Sequence, residues 1–304
     1  MNAEELLRRY AAGERDFYGI DLKGANLSGA YLNGADFRSA TLTGVKLKSA
    51  SLESVQMGDA DLCGANLCDI NLTRADLRNV NLDGAKLNGA NLDEANLMGA
   101  NLNCATLSYA SLPDTNLMGA NLSGAYLRDA YLGNTNLSHA NLTGANFKVS
   151  SVHRCNLSGV NLSGANLTGV IFDESVNLRG VNLSKVLYSS KTVFPSGIDL
   201  SAAIFIGPGT DFSGADLRNV HLHGLNLSGV NFSGANLSGA ILSEANLSNS
   251  DLKNANLEAA DLYGANLENT NLRGANLVNA AMTDTLFCNT TMPDGSIRSD
   301  ITLV

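Results

Sequence analysis

The stretch that decides the fold is residues 21–40, which read DLKGANLSGAYLNGADFRSA. In it a large apolar residue recurs every five positions, at Leu22, Leu27, Leu32 and Phe37. A small residue, usually Ala, stands two positions before each of them, and Asn or Asp often lies between the two. The same spacing holds from residue 17 to 172 and again from 212 to 292. The chain is therefore built from one five-residue unit, A-[N/D]-L-x-G.

A period of five fits neither an α-helix, at ~3.6 residues per turn, nor a strand, at ~2. It is expected of a chain that turns a corner every five residues, with the large residue and the preceding small residue pointing inward. Gly suits the corner because it tolerates a positive φ. Alternation of Leu and Ala would fill a narrow interior at close-packed density. Coils stacked at ~4.8 Å would pair their backbone groups, and we expect the outward Asn side chains to form ladders.

The unit resembles the repeat of the pentapeptide-repeat family, A-[D/N]-L-x-x. The resemblance covers nearly the whole chain, for example DLKGANLSG at 21–29 and ANLSGA at 235–240. It implies an all-β fold, a right-handed quadrilateral β-helix with four pentads per coil, and a non-catalytic function, as in most members. The opening LLRRYAAGERDF at 6–17 is also similar to the N-terminal caps of cyanobacterial members, some of which regulate development through protein contacts.

The regular spacing is interrupted between the two blocks. The frame slips by one residue after Phe172, and surplus residues fall at Pro- and Gly-containing stretches, 195–197 and 207–209, which are typical of bulged corners. Apolar residues nevertheless continue at pentad spacing. We therefore predict that the solenoid continues through this segment, with inward side chains at Leu183, Val193, Leu200 and Phe205. Two solenoids joined by a bend near 194–211 are the alternative.

The predicted organisation is a single continuous solenoid over residues 1–304. Its parts are an N-terminal cap at 1–14, a first repeat block at 15–172, irregular repeats at 173–211, a second block at 212–292 and a C-terminal tail at 293–304. The cap is predicted to be a short helix over 3–12 that covers the end of the stack, because an open end would expose Leu side chains and unpaired strand edges. Its signals are Asn2 as N-cap, Glu5 three residues on, an apolar face of Leu6, Leu7 and Tyr10, and Gly13 at the C-terminal end.

Composition restricts the location and partners of the protein. A net charge of −9 disfavours direct binding to nucleic acid. The sequence lacks a stretch near the ~20 apolar residues of a membrane span, and its N-terminus lacks the apolar run of a signal peptide. Five Cys, an odd number without paired spacing, fit a reducing compartment. We predict a cytoplasmic monomer that does not associate with membranes.

Residues with catalytic or metal-binding potential are few. His221 and His223 flank an inward Leu and are predicted to point outward, with Glu244 one coil away, but solvated surface is the simpler interpretation. Cys63 and Cys68 lie five apart and lack a metal-site spacing, and Cys155 occupies a small inward position. We predict no catalytic residues, no cofactor and no metal, and hence no enzyme.

Two charged faces distinguish the candidate functions. One face, with inward residues from Leu32 to Phe172, is acidic, bearing Glu53, Asp93, Glu94, Asp114, Asp173 and Glu174 against Arg74 and Arg154. Its neighbour is basic, bearing Lys46, Lys48, Lys86, Arg128 and Lys148 against Asp69 and Asp129. Some pentapeptide-repeat proteins resemble duplex DNA and bind DNA gyrase in its place, but eight coils, about 38 Å at strand spacing, would then replace roughly 22 phosphate charges. We therefore predict a structural scaffold or regulator that acts through protein–protein interaction, with DNA mimicry toward gyrase or topoisomerase as the alternative.

A partner is expected to contact one of two places. Tyr and Arg are enriched at binding hot spots, and four such residues are predicted to be outward on adjacent faces of successive coils: Tyr109, Tyr126, Arg128 and Tyr131. The irregular corner at Phe194 and Pro195 competes, because loops on a rigid scaffold often carry function. The sequence does not identify the partner.

Overall fold

The structure, a computed structural model, describes residues 1–148 and 150–300. They divide into two compact units, Met1–Ile204 and a second that begins at Phe205. In both units a residue forms a parallel β-bridge with the residue 20 positions later, as in Asn26 with Lys46 and Asn236 with Asn256. Bridges of this kind recur every five residues, so that each 20-residue coil has four sides. The predicted solenoid of four-sided coils is confirmed.

Longer regular elements are few because each side is short. The one helix among the described residues is α1, Ala3–Ala11. The strands are β1 (Tyr131–Gly133), β2 (Ser151–His153), β3 (Ile171–Phe172), β4 (Leu187–Tyr188), β5 (Ile204–Phe205), β6 (Thr290–Thr291) and β7 (Ile297–Arg298). Strands β1, β2 and β3 form a parallel sheet in that order, β4 pairs with β5, and β6 and β7 form an antiparallel pair near the end of the second unit.

Each corner is a tight turn that follows the inward Leu. In the pentad of Leu27, the Ala30 amide donates to the Leu27 carbonyl at 3.1 Å. Gly29, at the third turn position, has φ +69°, the left-handed value that a type II turn requires. The Ser28 amide donates to Oδ1 of Asn26 at 3.2 Å, which explains the Asn before each Leu. The repeat therefore encodes the corner itself as well as the core.

The interior is filled as the repeat predicts. Leu102, Leu122 and Leu142, one coil apart, are all buried, and so is Ala120 beside them. Backbone amides link the coils, for example from Leu122 to the Asn141 carbonyl at 2.7 Å. The inward assignment of large and small residues is confirmed for most of the regular blocks, whereas Leu277, Met282 and Met292 near the end of the second block are half-buried.

The outward Asn side chains form amide ladders along the stack. Asn141 donates through Nδ2 to Oδ1 of Asn121, Asn121 to Asn101 and Asn101 to Asn81, each at 3.1 Å. Asn81 donates in turn to the Asp61 carboxylate at 2.8 Å. Each amide can donate in one direction and accept in the other, so a ladder ends naturally on a carboxylate, which only accepts. The expected ladder is thus confirmed, and each of its amides donates toward the preceding coil.

The N-terminal cap is the predicted helix, shorter by one residue than expected. Oδ1 of Asn2 accepts the Glu5 amide at 2.8 Å, which confirms the N-cap, and Gly13 has φ +96° after the last turn. Leu6 is buried in the core, and the Tyr10 hydroxyl donates to the Asn33 carbonyl at 2.8 Å. Leu7, predicted on the same face, is 38% exposed. Consecutive residues of a helix point about 100° apart around its axis. The cap therefore buries Leu6 and leaves Leu7 partly in solvent.

The inward prediction for Val193 is wrong. An extra residue after Phe172 closes a turn in which the Val176 amide donates to the Asp173 carbonyl, and Ile171 then bridges Val193, 22 positions on instead of 20. Val193 consequently takes the outward position of Ile171. Phe194 takes the position of Phe172, on which it stacks with ring centroids 5.5 Å apart.

The inward prediction for Phe205 is also wrong, since its side chain is 44% exposed and Ile206 is buried instead. The Ile204 amide donates to the Val186 carbonyl, 18 positions back, where the equivalent bond from Lys46 to Ala25 spans 21. The coil is therefore shortened here, which moves the inward position by one residue. Leu183 is buried as predicted, and Leu200 is partly buried against the core.

A small cavity in the first unit gives a stability prediction. It measures about 10 Å³ and lies where Val152 stands in place of the usual Leu, among Leu137, Leu157 and Phe172. Val152→Leu should raise the free energy of unfolding by about 0.5–2 kcal/mol, because cavity filling restores apolar contacts without strain. Urea denaturation would measure the change. Val160→Leu, at a buried small-residue position, is the matched control and should destabilise by overpacking; a less stable Val152→Leu variant would contradict the packing described.

Candidate functional site

The predicted Tyr–Arg site lies across two sides of the first unit. Tyr109 stands at a corner, and its backbone amide donates to the Arg128 carbonyl of the next coil at 3.1 Å. Tyr126 bridges Thr106 on one side of the coil, and Tyr131 bridges Ser111 on the next side. The four side chains therefore belong to adjacent coils and adjacent sides, as the sequence predicted.

Their exposure differs. Tyr109 is 65% exposed, whereas Tyr126 and Arg128 are half-buried. Burial raises the pKa of the Tyr126 hydroxyl, so this group stays protonated at neutral pH. Nε of Arg128 pairs with Oδ2 of Asp129 at 3.1 Å. Tyr109 and Tyr131 thus offer the open surface, and the other two side chains form a more fixed surface beside them.

Tyr131 is held by a histidine from the next coil. Its hydroxyl lies 3.1 Å from Nε2 of His153, and the two rings are tilted with centroids 5.1 Å apart. Gly133 makes this arrangement possible, because a Cβ there would lie 2.9 Å from Nε2 of His153 and 3.0 Å from the Tyr131 hydroxyl. His153 was not singled out from the sequence, although its place one coil below the Tyr131 pentad was a signal for it.

The second predicted site, Phe194 and Pro195, is less open than expected. Phe194 stacks on Phe172 and meets the edge of Tyr188 at 5.9 Å, so it packs against the core instead of standing in solvent. Pro195 is half-buried. The register change before Phe194, which turns this ring inward, is the physical reason.

The two histidines at 221 and 223 are less exposed than predicted. His221 is half-buried, and its partial desolvation lowers its pKa. Nδ1 of His223 lies 3.1 Å from Oγ of Ser243, and its Nε2 lies 3.7 Å from the Glu244 carboxylate. The described ranges, 1–148 and 150–300, hold no cluster of three or more His, Cys, Asp or Glu side chains that could bind a metal.

Cys155 occupies its predicted core position. Its thiol donates to the Leu132 carbonyl, and burial raises its pKa to about 11. Thr115 and Thr135, at the same position of the two preceding coils, donate to the carbonyls of Leu92 and Leu112 at 2.8 and 2.7 Å. This column of buried donors satisfies carbonyls at one corner, so Cys155 has a structural role.

Comparison with known protein families matches this architecture. The family model described as "Pentapeptide repeats (8 copies)" matches nine ranges that together cover nearly all of the chain from 16 to 287. The matched ranges are 16–54, 56–93, 81–119, 120–148, 153–187, 196–234, 210–249, 231–269 and 250–287. The chain belongs to the pentapeptide-repeat family.

Solved structures of other pentapeptide-repeat proteins are similar to this one. HetL from the cyanobacterium Nostoc sp. strain PCC 7120, involved in heterocyst differentiation regulation, is 30% identical over 98% of this chain and 100% of its own, with a TM-score of 0.45. Rfr23 from the cyanobacterium Cyanothece 51142 is 25% identical over 63% of this chain and 99% of its own, with a TM-score of 0.26. QnrB1, a plasmid-mediated fluoroquinolone resistance protein, is 19% identical over 62% of this chain and 90% of its own, with a TM-score of 0.43. A search of curated proteins found no match.

Ion pairs occur on both charged faces of this pentapeptide-repeat chain. On the acidic face, Arg74 lies 3.0 Å from the Glu94 carboxylate and 3.6 Å from that of Glu53. On the basic face, Nζ of Lys48 lies 4.0 Å from Asp69. The charges of both faces are therefore partly neutralised along the stack.

None of the helices in the described part of the chain is long and apolar enough to cross a bilayer.

Two arginine–aspartate pairs on another side predict a pH dependence of stability. Hydrogen bonds from Arg38 and Arg78 lower the pKa values of Asp36 and Asp76, whose side chains are partly buried. A lowered folded-state pKa stabilises the fold above the unfolded value, about 3.9, and this stabilisation is lost as pH falls through the folded value. We expect the free energy of unfolding to fall with pH below about 4. Urea titrations would show a shallower fall for Asp76→Asn, and an unchanged slope would contradict the assignment.

Proposed function

We propose that the protein is a non-catalytic scaffold or regulator that acts through protein–protein interaction. The observation that carries this proposal is the filled interior. Leu and Ala from all four sides meet at the axis, and the described core cavity of about 10 Å³ is far below the roughly 300–1,000 Å³ of a small-molecule site. The outer faces, rigid and repetitive, are what the molecule presents to others.

The finer features of the solenoid belong to the same proposal. We infer a right-handed quadrilateral β-helix, the hand that the family resemblance implies, and a solenoid that continues through residues 173–211. We further propose that the protein is a cytoplasmic monomer without cofactor or metal. The bridges across the one- and two-residue insertions, which link Asn156 to Asn177 and Ile171 to Val193, support continued stacking within the first unit. The proposed tail begins at 293, and its residues 301–304 lie outside the described residues.

The proposed contact site includes Tyr109, Tyr126, Arg128 and Tyr131, with Phe194 and Pro195 at a second place. Support for the first place is the exposure of Tyr109 and Tyr131 beside the more fixed Tyr126 and Arg128. Aromatic residues on a rigid surface lose little conformational entropy on binding. We therefore rank the first place above the second.

Affinity capture tests the proposal. The immobilised full-length chain is exposed to a lysate of the source cells, and each retained protein is purified and titrated against the chain. Tyr109→Ala together with Tyr131→Ala should weaken binding about ten-fold or more, as for hot-spot residues. Tyr263→Ala, an exposed tyrosine of the second unit, is the matched control and should leave binding unchanged. Absence of any protein that binds directly would contradict the proposed function.

The alternative, DNA mimicry, makes a different prediction. Its strongest support would be an acidic face of unpaired carboxylates, but Arg74 pairs with Glu53 and Glu94 on that face. We expect the protein, at micromolar concentration in low salt, neither to inhibit DNA supercoiling by gyrase nor to protect gyrase from quinolones. Activity in either assay that falls steeply with added salt would establish the alternative, because exposed charges are screened over about 10 Å at 0.1 M.

A further inference from the structure

One column of outward residues on the first unit departs from the Asn ladder. The column occupies the position directly before each inward residue on one side of the coil, and successive members are joined by β-bridges. Its members from the middle of the unit are Asn71, Asn91, Ser111, Tyr131, Ser151, Ile171 and Val193. The large apolar members are concentrated in the last four coils of the column.

The Asn residues that are replaced have a structural role. Oδ1 of Asn71 accepts the Thr73 amide at 3.1 Å, and Oδ1 of Asn91 accepts the Asp93 amide at 2.9 Å. The side chains of Ile171 and Val193 have no acceptor for such a bond. The column thus gives up a stabilising hydrogen bond at these positions, and local departures of this kind are expected at functional sites.

The replacements expose three large side chains along one column, with the polar Ser151 between the first two. Tyr131 is 44% exposed, Ile171 59% and Val193 49%. Ile171 bridges Val193 directly, and Ser151 lies between Ile171 and Tyr131, so the surface extends over three coil spacings, about 14 Å at strand spacing. Tyr131 and Ile171 belong to the three-stranded sheet β1–β3, and Val193 bridges β3 from the next coil. The pairing of Tyr131 with His153 fixes one edge of it.

Carboxylates border this surface. The Asp114 amide donates to the Gly133 carbonyl at 2.9 Å, which places Asp114 at the corner beside β1. Asp173 follows β3 directly, and its carboxylate accepts hydrogen bonds from Ser175. These bonds lower the pKa of Asp173, which is therefore ionised at neutral pH. Arg154 supplies one positive charge at the intervening corner. Acidic groups beside exposed apolar side chains favour a ligand of opposite charge.

We infer that the surface formed by Tyr131, Ile171 and Val193, with Asp114 and Asp173 at its border, binds a segment of a partner protein that carries both apolar and cationic side chains. This inference rests on the proposed function and specifies where and what the protein binds. The apolar side chains of the segment cover Ile171 and Val193, and its Lys or Arg residues pair with the carboxylates.

A displayed library of random 16-residue peptides is the probe that tests the inference. Selection on the immobilised full-length chain should enrich peptides with large apolar residues together with Lys or Arg. A synthetic copy of the most enriched peptide is then titrated by fluorescence anisotropy. The variant Tyr131→Asn, Ile171→Asn, Val193→Asn restores the residue that is usual at this position, so we expect it to stay folded and to lose about ten-fold or more in affinity.

Two further variants complete the test. Tyr31→Asn replaces another tyrosine of the same column, five coils before Tyr131, and should leave the affinity unchanged. Asp114→Asn with Asp173→Asn should weaken binding and reduce its dependence on salt.

Several results would overturn the inference. Equal affinity for the parent and the triple Asn variant would do so, as would enrichment of peptides without cationic residues or no enrichment at all. A dimer in sedimentation that the triple variant abolishes would assign the surface to a second copy of the chain instead. A partner from affinity capture that binds the triple variant normally would refute this surface but leave the proposed function standing. If neither the peptide selection nor the affinity capture yields a binding partner, both this inference and the proposed function are refuted.

Discussion

Replacing Leu122 with Ala should lower the free energy of unfolding by about 2–5 kcal/mol, the range for large-to-small changes in protein cores. Leu122 is buried, with Leu102 and Leu142 one coil before and after it. The coils on either side are tied to its own by backbone hydrogen bonds, such as that from Leu122 to Asn141 at 2.7 Å. They are therefore poorly able to collapse into the space that the side chain leaves, which favours the upper part of the range.

Urea denaturation followed by circular dichroism would measure this change. Met118→Ala, at an outward position of the pentad before, removes a side chain of similar size and should change stability by no more than about 0.5 kcal/mol. An unchanged denaturation midpoint for Leu122→Ala would refute the inward assignment of the large residue.

Leu6→Asp should detach the N-terminal cap. Leu6 is buried in the core cluster at the end of the first unit, and a carboxylate there would lack a compensating charge. Release of the helix is therefore favoured over burial of the charge, and the cap loses about 1.5–3 kcal/mol of stabilisation from the Leu side chain. Hydrogen exchange measured by mass spectrometry should show faster exchange over residues 3–11.

The neighbouring Leu7 provides the control for that experiment. It is 38% exposed, so Leu7→Asp should leave both the cap and its exchange rates nearly unchanged. A second consequence separates detachment from global unfolding. The uncovered first coil should make the Leu6→Asp protein associate with itself as concentration rises, because unpaired strand edges are templates for pairing. Equal behaviour of the two variants would contradict the packing of the cap.

The regular blocks were predictable because one unit encodes three levels of structure. Leu122 and Ala120 fill the axis, Gly at the corner adopts positive φ, and Asn121 continues a ladder, all within a single pentad and its neighbour. Agreement between local turn chemistry and core packing, repeated along the chain, leaves few competing folds. The helix at the N-terminus was predictable for the same kind of reason, since Asn2 and Gly13 mark its two ends.

The irregular segment could not be predicted in detail. Val193 and Phe194 are adjacent apolar residues, as are Phe205 and Ile206, and a period of five does not say which of each pair is inward once residues have been inserted. The outcome depends on how many residues each corner takes up. The structure shows a bridge to Val193 over 22 positions instead of 20 and a bond from Ile204 over 18 positions instead of 21, so the two coils change length in opposite directions.

The candidate site was predictable only in part. Tyr109 and Tyr131 could be placed on the surface from their position in the pentad, but the half-burial of Tyr126 depends on side chains in neighbouring coils. The relation of Tyr131 to Ile171 and Val193 required the bridge register. A strict period of five places Val193 in the interior, and only the bridge to Ile171 shows that it lies on the surface.

Direct titration of a captured partner against the full-length chain tests the central claim, that this protein works by binding another protein on its outer faces. Isothermal calorimetry on the purified pair is the measurement. The account predicts saturable binding at a fixed stoichiometry, no turnover of any added substrate, and an affinity at least about ten-fold weaker for the Tyr131→Asn, Ile171→Asn, Val193→Asn variant. Absence of heat with every captured protein, or supercoiling inhibition by the chain with purified gyrase, would contradict it.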